Sequence, residues 1–303
     1  MLKIAILVSA DMLPGGPGLR SDFFELEEQM GKLTPAFAAL GLQTELVLWN
    51  AAAARAGEFA AMLPLIVWDY FEGDNPQTFA AQMEMAAQKT LLLNPLEILR
   101  YNSDKSYLDD LEARGAPVIY SVVVDKVTPA AIEAAYTQFD CEQIVAKPQI
   151  GAGAWRQALL SKGAPLPPGD DLPPGRAILQ PFLPSVLTEG EYSFLYFDGQ
   201  FSHAVNKRPK DGDYRIQSMY GGREHPYDPK PEELAVAKAV LSYLPQVPLY
   251  ARVDLLRGLD AQLKLIELEM IEPYLYLPFA KGEGGDNAGA KKLAAGVLRR
   301  LSL

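Results

Sequence analysis

The sequence predicts a mixed fold, in which an α/β domain with a parallel sheet is followed by α+β subdomains with antiparallel sheets. Over the first hundred residues or so, short apolar runs alternate with amphipathic stretches, which is typical of parallel strands joined by crossover helices. From about residue 99, strands follow one another through short loops, with helical stretches between some of them. The length of 303 residues suits two or three such domains.

The first domain, residues 1–98, is predicted to be Rossmann-like. Its strands are the apolar runs "KIAILVS", "TELVLWN", "LPLIVWDY" and "TLLLNP". The glycines of "PGGPG" follow the first strand, but the G-x-G-x-x-G spacing of a dinucleotide site is missing and Pro17 interrupts it, which disfavours a nicotinamide oxidoreductase. Five side chains near strand ends are expected to contribute to a ligand pocket, although Trp68 and Tyr70 fit core positions equally well. They are Ser9, Asp11, Trp68, Asp69 and Tyr70.

Two subdomains are predicted to follow, a small lid at residues 99–182 and a C-terminal subdomain at residues 183–303. In the lid, the stretch "SDKSYLDDLEARG" is expected to be one helix, a second helix lies near 128–139, and strands flank the glycine loop of "QIVAKPQIGAGAW". The C-terminal subdomain is predicted to be an antiparallel sheet that carries a helix near 231–244.

Composition disfavours several classes of function. A formal net charge of −10 argues against nucleic acid and anionic membranes as partners, and the apolar run in "MLKIAILVSAD" is too short for a membrane span. Cys141 is the only cysteine, so no internal disulfide can form, which fits a cytoplasmic location. His203 and His225 have no zinc-ligand or triad spacing, so zinc and serine hydrolases lose support.

The segment "IELEMIEP" places carboxylates in an otherwise apolar strand. Because strand residues two apart share a face, Glu267 and Glu269 are expected to point the same way. Asp254, in "YARVDLL", would lie beside them in a hairpin that turns at "RGLDAQ". Three oxygen donors without nitrogen or sulfur are what Mg²⁺ prefers. The alternative is a surface salt-bridge network with Arg252 and Lys264.

Two lysines favour a phosphate ligand beside these carboxylates. Lys105 is expected to open a helix in "NSDKSYL", and Lys147 ends a strand directly before the loop that holds Gly151 and Gly153. Backbone N–H groups of a glycine loop and a nearby ammonium both suit phosphate oxygens. A lysine beside glycines is often only structural, but the order lysine, lysine with glycine loop, aspartate and Glu-x-Glu is more specific.

That order resembles the ATP-grasp superfamily over nearly the whole chain. The glutathione-synthetase-like and RimK-like branch is most similar, including the bacterial proteins similar to D-cycloserine ligase, through "VWDYFE", "NPLEILRYNSDKSYLDDLEARGAPV" and "KRPKDGDYRIQSMYGG". The resemblance implies a Rossmann-like pre-ATP-grasp domain, a lid and a catalytic subdomain that clamp ATP. It also implies that Lys105 and Lys147 hold the α- and β-phosphates and that Gly151 and Gly153 lie in a mobile loop over them.

The resemblance further implies which residues contact the adenine base, the ribose and the metal ions. "LQPFL" matches a hinge whose backbone reads adenine, and the residues named from it are Gln180, Phe182 and Leu183. Glu191 matches the acidic position near the ribose, with Glu189 as a competitor. The metal ligands are Asp254, Glu267 and Glu269. The superfamily usually has Glu-x-Asn where this chain has Glu-Leu-Glu, which adds a negative charge but keeps an oxygen ligand.

The resemblance also implies that basic and glycine residues contact the reacting groups of the substrates. Arg252 would stabilise the transferring phosphoryl group, and Lys207 would reach the γ-phosphate unless it is simply solvated. The loop "YRIQSMYGGR" resembles a substrate loop, with Arg215, Gly221 and Gly222 near the acyl phosphate, or else a surface hairpin.

The function implied by the resemblance is an ATP-dependent carboxylate-amine ligase that forms an acyl phosphate, releases ADP and phosphate, and joins two molecules or cyclises one. Its cofactors would be two Mg²⁺ ions, replaceable by Mn²⁺. Its partners would be amino-acid-like carboxylates and amines, with a homo-oligomer left open. The alternative is a nucleotide-binding or sensor module without turnover, which has less need of metal-bridged phosphates.

Overall fold

The computed structural model describes residues 1–282 and 285–302. The first elements are β1 (Leu2–Val8), α1 (Phe24–Ala38), β2 (Leu42–Leu48), α2 (Ala52–Arg55), β3 (Ala61–Ile66), α3 (Asn75–Ala87) and β4 (Leu91–Leu92). The strands are parallel, in the order β2-β1-β3-β4, and form the N-terminal sheet. The parallel sheet with crossover helices that the apolar pattern predicts is therefore confirmed.

Two short helices, α4 (Leu96–Asn102) and α5 (Tyr107–Ala113), follow the N-terminal sheet. The helix predicted in residues 103–115 is present as α5, but it begins only at Tyr107, so Lys105 lies in the turn before the helix and does not open it. The Asp104 side chain accepts a hydrogen bond from the Ser106 N–H at 2.8 Å, and such a local bond competes with helical bonding. The turn places Lys105 beside Gln149, whose carbonyl accepts its backbone N–H at 3.0 Å.

An antiparallel sheet follows, named here the middle sheet. Its elements are β5 (Val122–Val124), α6 (Pro129–Phe139), β6 (Gln143–Pro148), β7 (Ala158–Ser161) and β8 (Ala177–Pro181), with the strand order β5-β8-β6-β7. Thr128 caps α6 by accepting from the Ala131 N–H at 3.2 Å, and Pro129 occupies the first turn. The helix predicted near 128–139 is confirmed.

The last sheet, named here the C-terminal sheet, is also antiparallel. Its elements are α7 (Ser185–Thr188), β9 (Glu191–Phe197), β10 (Gln200–Arg208), β11 (Arg223–Tyr227), α8 (Pro231–Ser242), β12 (Tyr250–Arg257), β13 (Leu263–Glu269) and α9 (Ala288–Leu301). The strand order is β11-β10-β9-β12-β13. The predicted antiparallel sheet and its helix near 231–244 are confirmed.

Apolar packing unites two of the three sheets. One face of the C-terminal sheet packs with α1, α9 and the N-terminal sheet, through residues such as Phe37, Phe197 and Leu293. The other face packs with α4, α5 and α8, so α5 belongs to the core of the C-terminal sheet. The middle sheet has a separate core beneath α6. The predicted domain limits at residues 98 and 182 remain predictions.

Among the described residues, no helix is both long and apolar enough to cross a bilayer.

Candidate active site

A cleft of about 1200 Å³, partly open to solvent, is lined by residues of the middle and C-terminal sheets and reaches the N-terminal domain. Most of the predicted site residues line it, namely Lys147, Gly153, Gln180, Phe182, Leu183, Glu191, Lys207, Arg215, Arg252, Asp254, Glu267 and Glu269. Four predicted site residues do not line the cleft but contact residues near it, namely Lys105, Gly151, Gly221 and Gly222. Tertiary folding thus brings together residues as far apart in the sequence as Lys105 and Glu267.

The acidic group lies on adjacent strands of the C-terminal sheet. Asp254 on β12 pairs with Glu267 on β13, and Arg252 pairs with Glu269, as the predicted hairpin requires. Ser193 on β9 lies opposite Asp254 and donates its hydroxyl to that carboxylate. One oxygen from each of Asp254, Glu267 and Glu269 lies within 4.8 Å of the others. The predicted convergence of these carboxylates is therefore present.

Two cations hold this acidic group in place. Arg252 donates from Nε to both oxygens of Asp254 at 3.0 Å, and from Nη2 to Glu269. Lys207 Nζ lies 2.5 Å from Glu191 Oε1 and 3.4 Å from Asp254 Oδ2. Burial opposes ionisation of Asp254, but Arg252 and Lys207 outweigh it and hold its pKa below the ordinary value. Lys207 is thus buried in the network rather than solvated.

The alternative of a surface salt-bridge network fits only in part. Arg252 does pair with the carboxylates, but it is only 7% exposed and Asp254 only 1% exposed. Lys264 instead pairs with Asp260 in the hairpin turn, at 2.7 Å. Buried charges at this density are expensive in a purely structural role and are typical of functional sites.

Two lysines lie beside the acidic group. Lys105 Nζ lies 3.1 Å from Glu267 Oε1 and also donates to the Gly151 carbonyl. Lys147 lines the cleft and makes no ion pair or side-chain hydrogen bond with the described residues, and burial lowers its pKa. Burial opposes ionisation of Glu267 too, but Lys105 and Lys147 hold its pKa below the ordinary value. Burial raises the pKa of Glu269 to about 7.

The glycine loop after β6 contacts the segment that follows β3 and the turn before α5. Gly153 has φ +59° and lines the cleft, and the following residues include Trp155, whose ring centroid lies 6.0 Å from that of Phe71 in the N-terminal domain. Gln149 donates from Nε2 to Asp104 at 2.7 Å. Gly153 of this loop and Lys147 line the same cleft.

One end of the cleft is apolar and holds a buried amide. Gln180 is 2% exposed, and its Nε2 has no hydrogen-bond partner in the described part of the chain. The rings of Phe182 and Tyr214 meet edge to face, with centroids 6.0 Å apart. Aliphatic side chains complete this end, namely Ile119, Val145, Leu183, Val186, Leu256 and Ile266. The surface is suited to a flat base with polar edges.

The two candidates for the acidic ribose position lie in different surroundings. Glu191 lines the cleft and pairs with Lys207. Glu189 instead accepts from Arg257 at 2.7 Å and from the Tyr192 hydroxyl at 3.2 Å, and it is outside the cleft lining. The geometry therefore favours Glu191 over Glu189.

The loop at 209–222 is folded against the cleft rather than extended into water. Arg215 pairs with Asp213 at 2.7 Å and lies 3.8 Å above the Tyr220 ring centroid. Gly221 has φ +86°, and a Cβ on Gly222 would lie 1.9 Å from the Ile216 carbonyl oxygen. The two glycines therefore close the loop that presents Arg215.

The N-terminal pocket differs from the expectation. Of the five residues named for it, Trp68 lines the cleft. Tyr70 is a core residue, and Asp69 instead accepts from Ser9 and from Trp49 Nε1, the latter at 2.6 Å. The cleft is lined here by residues that sequence reasoning missed, Asp22, Glu25, Glu224, Glu272, Tyr274 and Tyr276. In the sequence, only the acidic residues near the start of α1 could have indicated this part of the cleft.

The donor set fits magnesium. Asp254, Glu267 and Glu269 offer carboxylate oxygens only, without a histidine or cysteine in the group. Hard oxygen ligands beside unpaired lysine charge are the environment in which Mg²⁺ binds together with nucleotide phosphates.

Comparison with known proteins agrees with this geometry. The family model described as the N-terminal domain of D-cycloserine synthetase DcsG matches residues 4–94. The cycloserine biosynthesis protein DcsG of Streptomyces lavendulae is 29% identical over 293 residues, which cover 91% of this chain and 95% of that protein. The crystal structure of D-cycloserine synthetase DcsG superimposes with a TM-score of 0.83 at 26% identity, and covers 99% of both chains.

Two more distant structures share the fold. D-alanine–D-alanine ligase from Bacillus anthracis, complexed with ATP, has a TM-score of 0.65 at 12% identity over 100% of this chain and 98% of that one. The ATP-grasp ligase PsnB, complexed with a variant precursor, Mg and ADP, has a TM-score of 0.61 at 15% identity over 98% of each. This chain is thus a homologue of D-cycloserine synthetase DcsG and an enzyme with the fold of the ATP-grasp ligases.

Proposed function

We propose that this protein uses ATP and magnesium to activate a small carboxylate as an acyl phosphate and joins it to an amine in the cleft. The observation that carries the proposal is the convergence of Asp254, Glu267 and Glu269 beside the uncommitted Lys147. Similarity to a D-cycloserine synthetase over most of the chain supports the cyclising form, in which carboxylate and amine belong to one amino-acid-like molecule.

The nucleotide is assigned to the cleft by the chemistry of its walls. The apolar end with Gln180 would receive adenine, and Glu191 would face the ribose. Lys147 and Lys105 would neutralise phosphate oxygens. Asp254, Glu267 and Glu269 would hold Mg²⁺, which would supply positive charge beside the phosphates. We assign two such ions, because three carboxylates offer more oxygens than one ion needs beside phosphate and water. Mn²⁺, which also prefers oxygen ligands, would be able to replace Mg²⁺.

In the first step, an oxygen of the substrate carboxylate attacks the γ-phosphorus of ATP. The new O–P bond forms while the bond from the γ-phosphorus to the bridging oxygen breaks, and ADP leaves with that electron pair. Arg252, which is held by Asp254 and Glu269, would stabilise the transferring phosphoryl group. The protein contributes position and charge rather than covalent chemistry.

In the second step, the neutral amine attacks the acyl carbon. The C–N bond forms, the C–O bond to phosphate breaks, and the nitrogen loses a proton as inorganic phosphate departs. Water would compete for the acyl phosphate, so the cleft must be covered while the intermediate exists. The glycine loop with Gly153, and the Arg215 loop, lie where they would provide this cover.

The experiment compares Asp254→Asn and Glu267→Gln with Asp260→Asn, a matched change in the turn of the same hairpin. ADP release would be followed with a panel of amino acids, and products would be identified by mass spectrometry. We expect turnover to fall by roughly two or more orders of magnitude in the first two variants, because metal-borne charge stabilisation is worth several kcal/mol. Near-normal ADP release in both, with the control unaffected, would contradict the metal assignment.

The same proposal places the enzyme in the cytoplasm, as a protein that does not bind nucleic acid and that is open to homo-oligomer formation. The net charge of −10 and the single cysteine support the first two points.

A further inference from the structure

The residues that follow β6 are attached to the turn that contains Lys105. The Gln149 carbonyl accepts the Lys105 N–H at 3.0 Å, and the Gln149 side chain donates from Nε2 to Asp104 Oδ1 at 2.7 Å. The same Asp104 oxygen accepts the Ser106 N–H at 2.8 Å, so the turn itself fixes its position. The Gly151 carbonyl accepts from Lys105 Nζ. Because Gln149 is only 5% exposed, water competes little for these bonds, and the start of the glycine loop forms one hydrogen-bonded unit with the turn.

Ile150, between these two attachments, borders a hollow that shares no lining residue with the cleft. The hollow has a volume of about 410 Å³, is partly open to solvent, and is walled mainly by apolar side chains of α3 and α4. Among them are Phe79, Met83, Leu96 and Leu99. The Ile150 side chain is 38% exposed, and movement into the hollow would bury more of its apolar surface, which is favourable. Apolar attraction at Ile150 therefore adds to the hydrogen bonds on either side of it.

The tip of the glycine loop has a strained backbone. Ala154 and Arg156 have φ of +57° and +49°, in the left-handed region that is unfavourable for residues with a Cβ. Trp155, between them, rests against Phe71 with ring centroids 6.0 Å apart and stays partly exposed. Such strain persists only where the surrounding structure holds it. The position of the tip therefore depends on the attachments at the start of the loop.

Lys105 connects the loop to the acidic group. Its Nζ lies 3.1 Å from Glu267 Oε1, and the same ammonium donates to the Gly151 carbonyl. If the loop left the turn, Lys105 would lose one of these two partners and its ammonium would be free to take other positions. The attachment of the loop therefore also affects where Lys105 holds its charge relative to Glu267.

We propose that Gln149 and Ile150 are positioning residues, which fix the start of the glycine loop to the Lys105 turn and to the hollow between α3 and α4, so that the loop stays closed over the reacting groups. That the closed loop protects an acyl phosphate rests on the proposed function, whereas the attachment itself does not. Without the attachment, water would attack the acyl carbon, the C–O bond to phosphate would break, and the substrate carboxylate would be regenerated with inorganic phosphate and a proton. ATP would then be consumed without an amide product.

The first arm of the test measures loop attachment without turnover. Arg156 is the only lysine or arginine in residues 148–161, so trypsin cleavage after Arg156 reports release of the loop. Cleavage rates in the absence of nucleotide would be compared for the wild type, Ile150→Ala, Gln149→Leu, Ile150→Val and Leu166→Ala. Mass spectrometry of the fragments would separate cleavage in the loop from cleavage after global unfolding.

Two of these variants are controls. Ile150→Val keeps a β-branched apolar side chain beside the hollow, and Leu166→Ala shortens an exposed apolar side chain in the loop between β7 and β8. We expect Ile150→Ala and Gln149→Leu to be cleaved about threefold faster or more, because each loses a contact with the strength of a hydrogen bond or a buried methylene, and the controls to match the wild type. Equal rates in all five proteins would overturn the attachment.

The second arm measures how far ATP use is coupled to product. ADP and hydroxamate would be measured with MgATP, hydroxylamine and an equimolar mixture of the proteinogenic amino acids and their D-enantiomers. We expect the ratio of hydroxamate to ADP to fall about threefold or more in Ile150→Ala and Gln149→Leu, and to be restored in Ile150→Val. A merely structural change would lower both quantities equally and leave the ratio unchanged.

The two arms separate the attachment from the ligase function. An unchanged ratio in both Ile150→Ala and Gln149→Leu would overturn the positioning role. Absence of ADP release in every protein, together with the expected difference in trypsin cleavage, would contradict the ligase function and leave the loop attachment standing.

Discussion

Several charged or polar side chains in the cleft are buried away from water, and some of their polar atoms have no partner among the described residues. Burial lowers the pKa of Lys147. Gln180 and Glu25 each have one buried polar atom without a hydrogen-bond partner in the described part of the chain. Unsatisfied groups of this kind destabilise a protein unless a ligand satisfies them. Their clustering in one cleft is the residue-scale signature of a binding site.

A substitution of Lys147 should affect ATP binding and the stability of the fold in different ways. Lys147→Met removes an unpaired buried ammonium, so we expect the Tm to stay level or rise while KM for ATP rises roughly 10- to 100-fold, as loss of a charge-assisted bond predicts. Lys162→Met, at an exposed lysine directly after β7, is the control and should change neither quantity. Steady-state kinetics and thermal unfolding provide the measurements. Unchanged KM for ATP would show that Lys147 does not contact the nucleotide.

At the scale of elements, the site depends on strand pairing and on one segment that follows it. The β12–β13 pairing sets Asp254 beside Glu267, and the chain then passes through Tyr274 and Tyr276 at the wall of the cleft. His203 on β10 anchors that segment, because its Nε2 lies 2.9 Å from the Leu275 carbonyl and its Nδ1 lies 3.0 Å from Ser202 Oγ. These partners assign the proton to Nε2, since a carbonyl can only accept.

Acid should destabilise the protein through this histidine. Burial lowers the pKa of His203 to about 4, so between pH 6.5 and 4 the unfolded chain binds the proton and the folded chain does not. Stability is therefore lost as pH falls, by about 2 kcal/mol from pH 7 to pH 5. His203→Gln keeps a donor for Leu275 but cannot titrate. In urea unfolding at both pH values, we expect the wild type to lose about 2 kcal/mol more than the variant, and equal losses would refute the assignment.

At the scale of the whole molecule, the cleft lies where separately packed parts meet. The N-terminal and C-terminal sheets share one core, whereas the middle sheet is built on its own. A small apolar cluster joins the middle and C-terminal sheets, and several of its members, including Phe182 and Leu256, line the cleft. A nucleotide in the cleft would therefore contact both bodies and restrict their relative movement.

Metal removal provides the corresponding test. With a non-hydrolysable ATP analogue at about 100 times its Kd, we expect the free energy of unfolding to rise by about 2.7 kcal/mol in the presence of Mg²⁺, and most of that gain to disappear with EDTA. In Asp254→Asn the analogue should give the smaller gain whether or not Mg²⁺ is present. Thermal unfolding with and without each component measures this. Stabilisation that is independent of Mg²⁺ in the wild type would contradict a site shared by metal and phosphate.

By itself, the sequence determined the order of elements, the parallel and antiparallel regions, and the acidic hairpin. These are local properties, because a two-residue period fixes which face Glu267 and Glu269 share and a short turn fixes their register with Asp254. Where local chemistry competed, the prediction failed, as with the turn that Asp104 imposes before α5. Only the tertiary structure placed Glu25 on α1 and Glu224 on β11 at one end of the cleft, because no periodicity relates two elements that meet only when distant cores pack together.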